Sequence, residues 1–147
     1  MITLVRRLIT DEAGVVTVEM AVYVPIAALI ACLLWAYGAT ASADSAVLHA
    51  ALDAARAASH ARNTAHAQAD ASLVAQQILH EHNLRCRALT VTVDTAGFAV
   101  PVGQPAQVGV EVTCLITLAD LYVPGIPGEK TLHAHQISAL DTYRTRT

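Results

Sequence analysis

The longest pattern in the chain is an almost uninterrupted apolar stretch at residues 15–37, in which Glu19 is the one charged residue. At a rise of 1.5 Å per residue, a helix over these positions covers roughly 34 Å, enough to span a hydrocarbon core of about 30 Å. Trp35 and Tyr37 close the stretch where interfacial aromatic residues are expected, and Pro25 is expected to kink the helix or loosen one turn. The pattern predicts a transmembrane helix.

Residues 39–82 are rich in alanine and contain neither proline nor glycine, which predicts one helix that continues the span. Each end has apolar residues at helical spacing, whereas residues 57–69 have alanine as their only apolar residue type. The stripes are Val47, Leu48, Ala51, Leu52 and Ala55, and then Leu73, Val74, Gln77 and Ile78. Because such a helix buries little by itself, we expect a sheet or other helices against it.

After Asn83 the apolar period changes from helical to alternating, which predicts three strands. The second is the clearest, because apolar residues occupy every even position from 108 to 118. The first strand has Leu89, Val91 and Val93 on one face, and the third, weaker strand covers residues 131–140. Residues 95–105 are a turn-rich connection and residues 124–128 a stiff loop. The predicted fold is α+β, with one face of a three-stranded antiparallel sheet laid on the helix.

Composition limits the chain to one span and one small domain, because it has 147 residues, of which 54% are hydrophobic and 14% charged. With a net charge of −3 and no basic patch with interleaved aromatic residues, the sequence gives no sign of nucleic-acid binding. Arg6 and Arg7 precede the span and the next cation is Arg56, so the positive-inside rule predicts a cytoplasmic N-terminus.

Five features at the N-terminus together resemble the cleavage signature of type IV prepilins. They are a short leader, its basic residues Arg6 and Arg7, Gly14, an apolar run that opens at Val15, and Glu19 as the fifth residue of that run. The sequence Val-Thr-Val-Glu-Met-Ala, followed by a proline, is similar to the opening of TadE-like pseudopilins of Flp, or tight-adherence, pilus systems. The resemblance implies that a prepilin peptidase cuts the Gly14–Val15 bond on the cytoplasmic side. It also implies that the subunit works with other pilin and pseudopilin subunits and with the pilus assembly platform.

The C-terminal part is similar to TadE-like proteins of GC-rich Gram-positive bacteria in its segments and their order. These are Arg85-Cys86-Arg87, a Val-Thr-Val strand, Val-Glu-Val-Thr-Cys114, Leu118-Ala-Asp-Leu121, Pro124-Gly-Ile-Pro-Gly128 and the ending Asp141-Thr-Tyr143-Arg144. The resemblance thus covers nearly the whole chain and implies a pilin-like fold with a long N-terminal helix. We expect a leader at 1–14, a transmembrane segment at 15–38, an extracytoplasmic helix at 39–83 and a small β domain at 84–147.

An acidic residue within a membrane helix needs a partner, because it costs about 2.5–3.5 kcal/mol at mid-depth and less near the end, where Glu19 lies. Cleavage after Gly14 would create an α-amino group on Val15, which is cationic at neutral pH. We expect Glu19 of one subunit to pair with the Val15 amine of a neighbour and so to fix the axial register of the helices. The alternative is a Glu19 that reaches water at the interface or is protonated.

The three cysteines divide by position, since Cys32 lies within the span and Cys86 and Cys114 lie well beyond it. In an oxidising compartment the last two are expected to form a disulfide, with Cys86 just before the first strand and Cys114 on the inward face of the second. The alternative is two buried free thiols.

The sequence offers few other residues that could form a catalytic or metal site, and we expect neither enzymatic activity nor a cofactor. His133 and His135 share one side of a strand, the minimum for a metal contribution, but no cysteine or carboxylate cluster completes a site by spacing. His80 and His82 diverge on a helix. No metal site is therefore predicted, and the sequence has neither a glycine-rich phosphate loop nor a recognisable catalytic triad.

A second functional class stays open, because Ala39-Thr-Ala41 and Ala41-Ser-Ala43 both match a signal-peptidase site after an apolar run. The chain would then be a secreted binding module, with Asp44 at its start if the later site is cut, or a tethered one if the anchor is uncut. Against a signal peptide, the apolar run exceeds the usual 7–15 residues and contains Glu19 and Pro25.

Overall fold

The computed structural model describes residues 2–117 and 128–143, with side chains from residue 20 onward. Its elements, in chain order, are α1 (Ile2–His60), α2 (Thr64–Glu81), β1 (Ala88–Asp94), a 3-10 turn (Ala96–Ala99), β2 (Ala106–Thr117) and β3 (Glu129–Leu140). The strands form one antiparallel sheet in the order β1-β2-β3. The predicted α+β class and three-stranded antiparallel sheet are confirmed.

The chain divides into two compact units, Met1–Gly38 and Ala39–Thr147. Helix α1 supplies the described part of the first unit and the opening of the second, and it continues through Pro25 and Gly38. The sheet, α2 and the described hydrophobic core all belong to the second unit.

The prediction of one helix from residue 39 to residue 82 is wrong, because α1 ends at His60 and α2 begins at Thr64. Asn63 causes the new start: its backbone is extended (φ −142°, ψ 168°), and its side-chain oxygen accepts a hydrogen bond from the backbone N–H of His66 (2.9 Å). This is the arrangement of a helix N-cap, which satisfies one of the donors left free in the first turn. The alanine-rich segment therefore forms two helices instead of one.

Alanine forms most of the helical contribution to the core. The buried residues of the two helices lie on faces with a spacing of three or four: Ala43, Ala46, Val47, Ala50, Ala51, Ala54, Ala55 and Ala58 on α1, and Ala67, Ala71, Ala75 and Leu79 on α2. The second predicted stripe is confirmed only in part, since Ile78 packs against the core whereas Leu73 is 65% exposed, and Leu48 of the first stripe is 41% exposed. Side chains as small as alanine let backbones approach closely, so the alanine face is selected for packing although it has less apolar area.

The predicted alternation of β2 is confirmed as far as the described residues extend. Its inward residues are all fully buried: Val108, Val110, Val112, Cys114 and Ile116. β1 presents a half-buried face made by Leu89, Val91 and Val93, and β3 begins two residues earlier than predicted. Leu118 and residues 124–127 of the predicted loop lie outside the described residues.

The turn-rich connection between β1 and β2 contains the short 3-10 turn and closes one end of the core. Phe98 in this turn is 9% exposed and belongs to the core cluster. Gly97 is required by a close approach, because a Cβ at this position would lie 2.0 Å from the backbone oxygen of Gln107. The glycine thus lets the turn lie directly against the start of β2.

Gln68 of α2 makes hydrogen bonds to backbone groups at the outer edge of β1. Its Nε2 donates to the backbone oxygen of Val91 (2.8 Å), and its Oε1 accepts from the backbone N–H of Val93 (3.2 Å). Unpaired backbone groups on an edge strand are a template for further pairing. One amide side chain here makes the two bonds that a neighbouring strand would make, so α2 covers this edge.

Replacing Gln68 with leucine should lower the free energy of unfolding by about 1 kcal/mol, because Val91 and Val93 each lose a hydrogen bond. Chemical denaturation of the full chain in micelles measures this. Gln77→Leu is the matched control, since Gln77 is bonded to exposed Glu81 on the same helix (2.9 Å), and it should change stability by less than about 0.5 kcal/mol. Equal losses in the two variants would show that Gln68 does not hold the strand edge.

Candidate functional site

The apolar segment is exposed over its described length. Large apolar side chains between residues 20 and 37 are from 49% exposed at Ile26 to 76% exposed at Tyr37. Among the described residues, one helix is long and apolar enough to cross a membrane, with a mean hydropathy of 2.1 in a window of which no part is buried. A soluble helix buries at least an apolar stripe. The segment is therefore compatible with a single-pass membrane anchor.

The three residues of the candidate processing and assembly site all lie within α1. Gly14 and Val15 flank the candidate scissile bond, and Glu19 follows Val15 by one helical turn, so positions 15 and 19 share a helix face. The side chains of Val15 and Glu19 lie outside the described part of the chain. The proposed pairing of Glu19 thus rests on sequence and helix geometry.

The predicted disulfide between Cys86 and Cys114 is present, with Cα atoms 5.3 Å apart. Cys86 lies two residues before β1, as expected, and fully buried Cys114 lies opposite Leu89 in the ladder of β1 and β2. The bond joins the connection after α2 to the central strand. Because disulfides persist in oxidising compartments, it suggests an extracytoplasmic location for this unit.

Replacing both Cys86 and Cys114 with alanine should lower the free energy of unfolding by about 3.5 kcal/mol, because the loop they close is 28 residues long. Cys32→Ala, at an exposed free thiol in the apolar segment, is the control and should leave stability nearly unchanged. Alkylation of the exported protein without reductant should label Cys32 alone. Labelling of all three cysteines would refute the disulfide.

The two candidate metal-binding histidines lie on the outward face of the sheet, each beside a different residue of β2. Nε2 of His133 lies 2.9 Å from a carboxylate oxygen of Glu111 on β2. His135 lies over Gly109, where its Nε2 is 3.1 Å from the place that a Cβ would take. In the described part of the chain, no three His, Cys, Asp or Glu residues are grouped so as to hold a metal ion.

Two of the long-range contacts not predicted from the sequence connect α1 with later parts of the chain. The rings of His49 on α1 and His82 at the end of α2 are stacked, with centroids 6.0 Å apart and planes within 7°. Lys130, the one lysine of the chain, is bonded to Asp44 on α1 (2.9 Å). Because the two residues of each pair are 33 and 86 positions apart in the sequence, no local pattern predicts that they contact each other. The rarity of lysine is the one signal that could have drawn attention to Lys130.

Exposed ion pairs connect the margins of this unit. Those between elements are Lys130 with Asp44 and Arg87 with Glu129, and all four side chains are at least 37% exposed. Exposed pairs contribute about 0–1 kcal/mol each. They therefore contribute little to the stability of the fold.

Comparison of the chain with protein-family models, with curated proteins and with solved structures gave no match.

Proposed function

We propose that the chain is a minor pilin or pseudopilin that acts in the assembly of a Flp, or tight-adherence, type IV pilus or of a related secretion machinery. The observation that carries the proposal is Gly14, placed directly before an apolar run that has Glu19 as its fifth residue. The exposure of the apolar side chains from residue 20 to residue 37 supports a membrane anchor. The partners are a prepilin peptidase, other pilin subunits, the assembly platform and membrane lipid.

The orientation in the membrane follows from charge and redox chemistry. Arg6 and Arg7 precede the span, whereas no further cation occurs before Arg56, and this asymmetry favours a cytoplasmic N-terminus. The Cys86–Cys114 disulfide supports an extracytoplasmic second unit. The Gly14–Val15 bond then lies on the cytoplasmic side, where a prepilin peptidase acts.

Glycine at position 14 suits a cleavage site within helical backbone. A protease needs the backbone around the scissile bond to leave the helix, and glycine weakens a helix by about 1 kcal/mol relative to alanine. Gly14 therefore lowers the free energy of opening at the bond to be cut. Its small size also allows a close approach of the peptidase to the backbone.

Gly14→Leu should leave a full-length precursor in the membrane, because it restores helical propensity and adds bulk beside the scissile bond. Intact-mass measurement should show that the wild-type mature chain begins at Val15. Gly38→Leu is the matched control, since Gly38 lies on the same helix and a Cβ there would meet no atom within 4 Å. It should be cut normally.

A mature wild-type chain that begins anywhere other than Val15 would refute the pilin-like assignment. A chain that begins at Asp44 would instead support the secreted binding module. That alternative has one structural observation in its favour, because the described core begins at Ala43, next to the candidate signal-peptidase site. An uncut chain that begins at Met1 would indicate a tethered module.

Glu19→Ala should insert and be cut normally, because removing an acid favours insertion and leaves Gly14 in place. Co-purification with other pilus subunits should fall about tenfold, the effect of losing about 1.4 kcal/mol of pairing with a Val15 amine. Glu12→Ala is the control, since residue 12 is removed with the leader. Undiminished co-assembly of the Glu19 variant would eliminate the proposed carboxylate–amine pair.

A further inference from the structure

The two sulfur atoms of the Cys86–Cys114 disulfide differ in how well a reagent from outside the folded unit can reach them. Cys114 is fully buried in the central strand, where it lies opposite Leu89 on β1 and Leu132 on β3. Cys86 is half-buried and lies in the connection between α2 and β1, outside any helix or strand. A thiol or disulfide that approaches the folded unit therefore meets Cys86 and not Cys114.

Two exposed arginines flank Cys86 in the sequence. Arg87 is bonded to Glu129, which offsets its charge, and Arg85 adds a second positive charge next to Cys86. Nearby cations favour the thiolate, which is the form of cysteine that attacks a disulfide. The more accessible of the two cysteines is thus also the one with cationic neighbours.

We propose that Cys86 is the cysteine at which an extracytoplasmic thiol–disulfide oxidoreductase oxidises the folded second unit. In the first step the Cys86 thiolate attacks the enzyme's disulfide, which forms a mixed disulfide and releases the enzyme's other sulfur as a thiolate. In the second step the Cys114 thiolate attacks Sγ of Cys86, which forms the Cys86–Cys114 bond and releases the enzyme. The chain loses two protons and two electrons, and the enzyme's disulfide is reduced to a dithiol.

The fold promotes the second step because it holds the two cysteines together. Their Cα atoms are 5.3 Å apart, so Cys114 attacks within one molecule and competes well with any external thiol. The same arrangement protects the finished bond. An external thiol that opens the bond at Cys86 leaves Cys114 beside the adduct, where it restores the bond.

This inference rests on the oxidising compartment that the disulfide suggests, and not on the proposed pilus function. A mature chain that does not begin at Val15 would therefore leave it intact.

The first test uses the reduced full chain in micelles, in the Cys32→Ala background, with oxidised glutathione as the probe disulfide. Intact-mass measurement should show that Cys114→Ala, which keeps Cys86, forms the mixed disulfide at least tenfold faster than Cys86→Ala, which keeps Cys114. In denaturant the two rates should differ by less than about threefold, because burial then no longer separates the cysteines. Equal rates in the native state would overturn the proposal.

A measurement on the wild-type chain covers the case in which a single-cysteine variant fails to fold. Reduced glutathione should open the oxidised wild-type bond at least tenfold more slowly in the native state than in denaturant, because Cys114 restores it. Rapid alkylation of the native sample should place the glutathione adduct on Cys86. Equal reduction rates, or an adduct on Cys114, would overturn the proposal.

The contribution of charge is tested by adding Arg85→Glu to the Cys114→Ala variant. The rate of mixed-disulfide formation should fall about threefold, because the new carboxylate disfavours the Cys86 thiolate and repels anionic glutathione. Arg62→Glu, at an exposed position between the two helices, is the control and should leave the rate unchanged. An equal rate in the two variants would remove the electrostatic part of the proposal.

The last test traps the enzyme in cells, since the Cys114→Ala variant lacks the thiol that releases it. We expect a reductant-sensitive adduct between Cys86 and a polypeptide that mass spectrometry identifies as having a redox-active cysteine pair. Cys86→Ala should give at least tenfold less of this adduct, because Cys114 is buried. Equal adducts from the two variants, an adduct from Cys86→Ala alone, or no adduct from either would refute the assignment of Cys86.

Discussion

The second unit depends on the close packing of alanine faces, because its helices have few large side chains to bury. The face of α2 that enters the core consists of Ala67, Ala71, Ala75 and Leu79. Each methyl group contributes only about 0.8 kcal/mol of apolar burial, so the small faces are effective only if backbones come close and leave no voids. The bulk of the core is supplied from the other side by the valines and isoleucine of β2. The small side chains of the helical faces and the large side chains of the central strand thus complement each other in volume.

The same helix passes from one kind of surroundings to another along its length. Between residues 20 and 37 its large apolar side chains are exposed, whereas from Ala43 onward its small ones are buried. Lipid accepts large apolar side chains on every side of a helix, while a compact core with a neighbouring helix favours small ones on one face. This change in residue size, with apolar character kept, makes a chain with 54% hydrophobic residues compatible with both a single-pass membrane anchor and a small folded unit.

The sequence predicted best what depends on local periodicity. The alternation of β2 was read correctly because a strand with one buried face repeats every two residues, and Cys114 could be placed on its inward face for the same reason. The break between the helices was missed because the cap at Asn63 is a single residue in an alanine-rich segment. Leu73 lies outside the packed face because close packing of backbones favours the alanine face over a larger apolar side chain. Gln68, Lys130 and His49 contact residues far away in sequence, which no local pattern specifies.

The proposed processing of this chain and its folding are separable in physical terms. Every described member of the core lies at Ala43 or later, and the disulfide joins residues 86 and 114. The described interactions that stabilise the second unit would therefore survive the proposed cleavage after Gly14. Conversely, the proposed pairing of Glu19 would involve no member of the described core. Under the proposed function, the fold would be completed on one side of the membrane and the N-terminus would be cut and paired on the other, so each event would be controlled by its own set of residues.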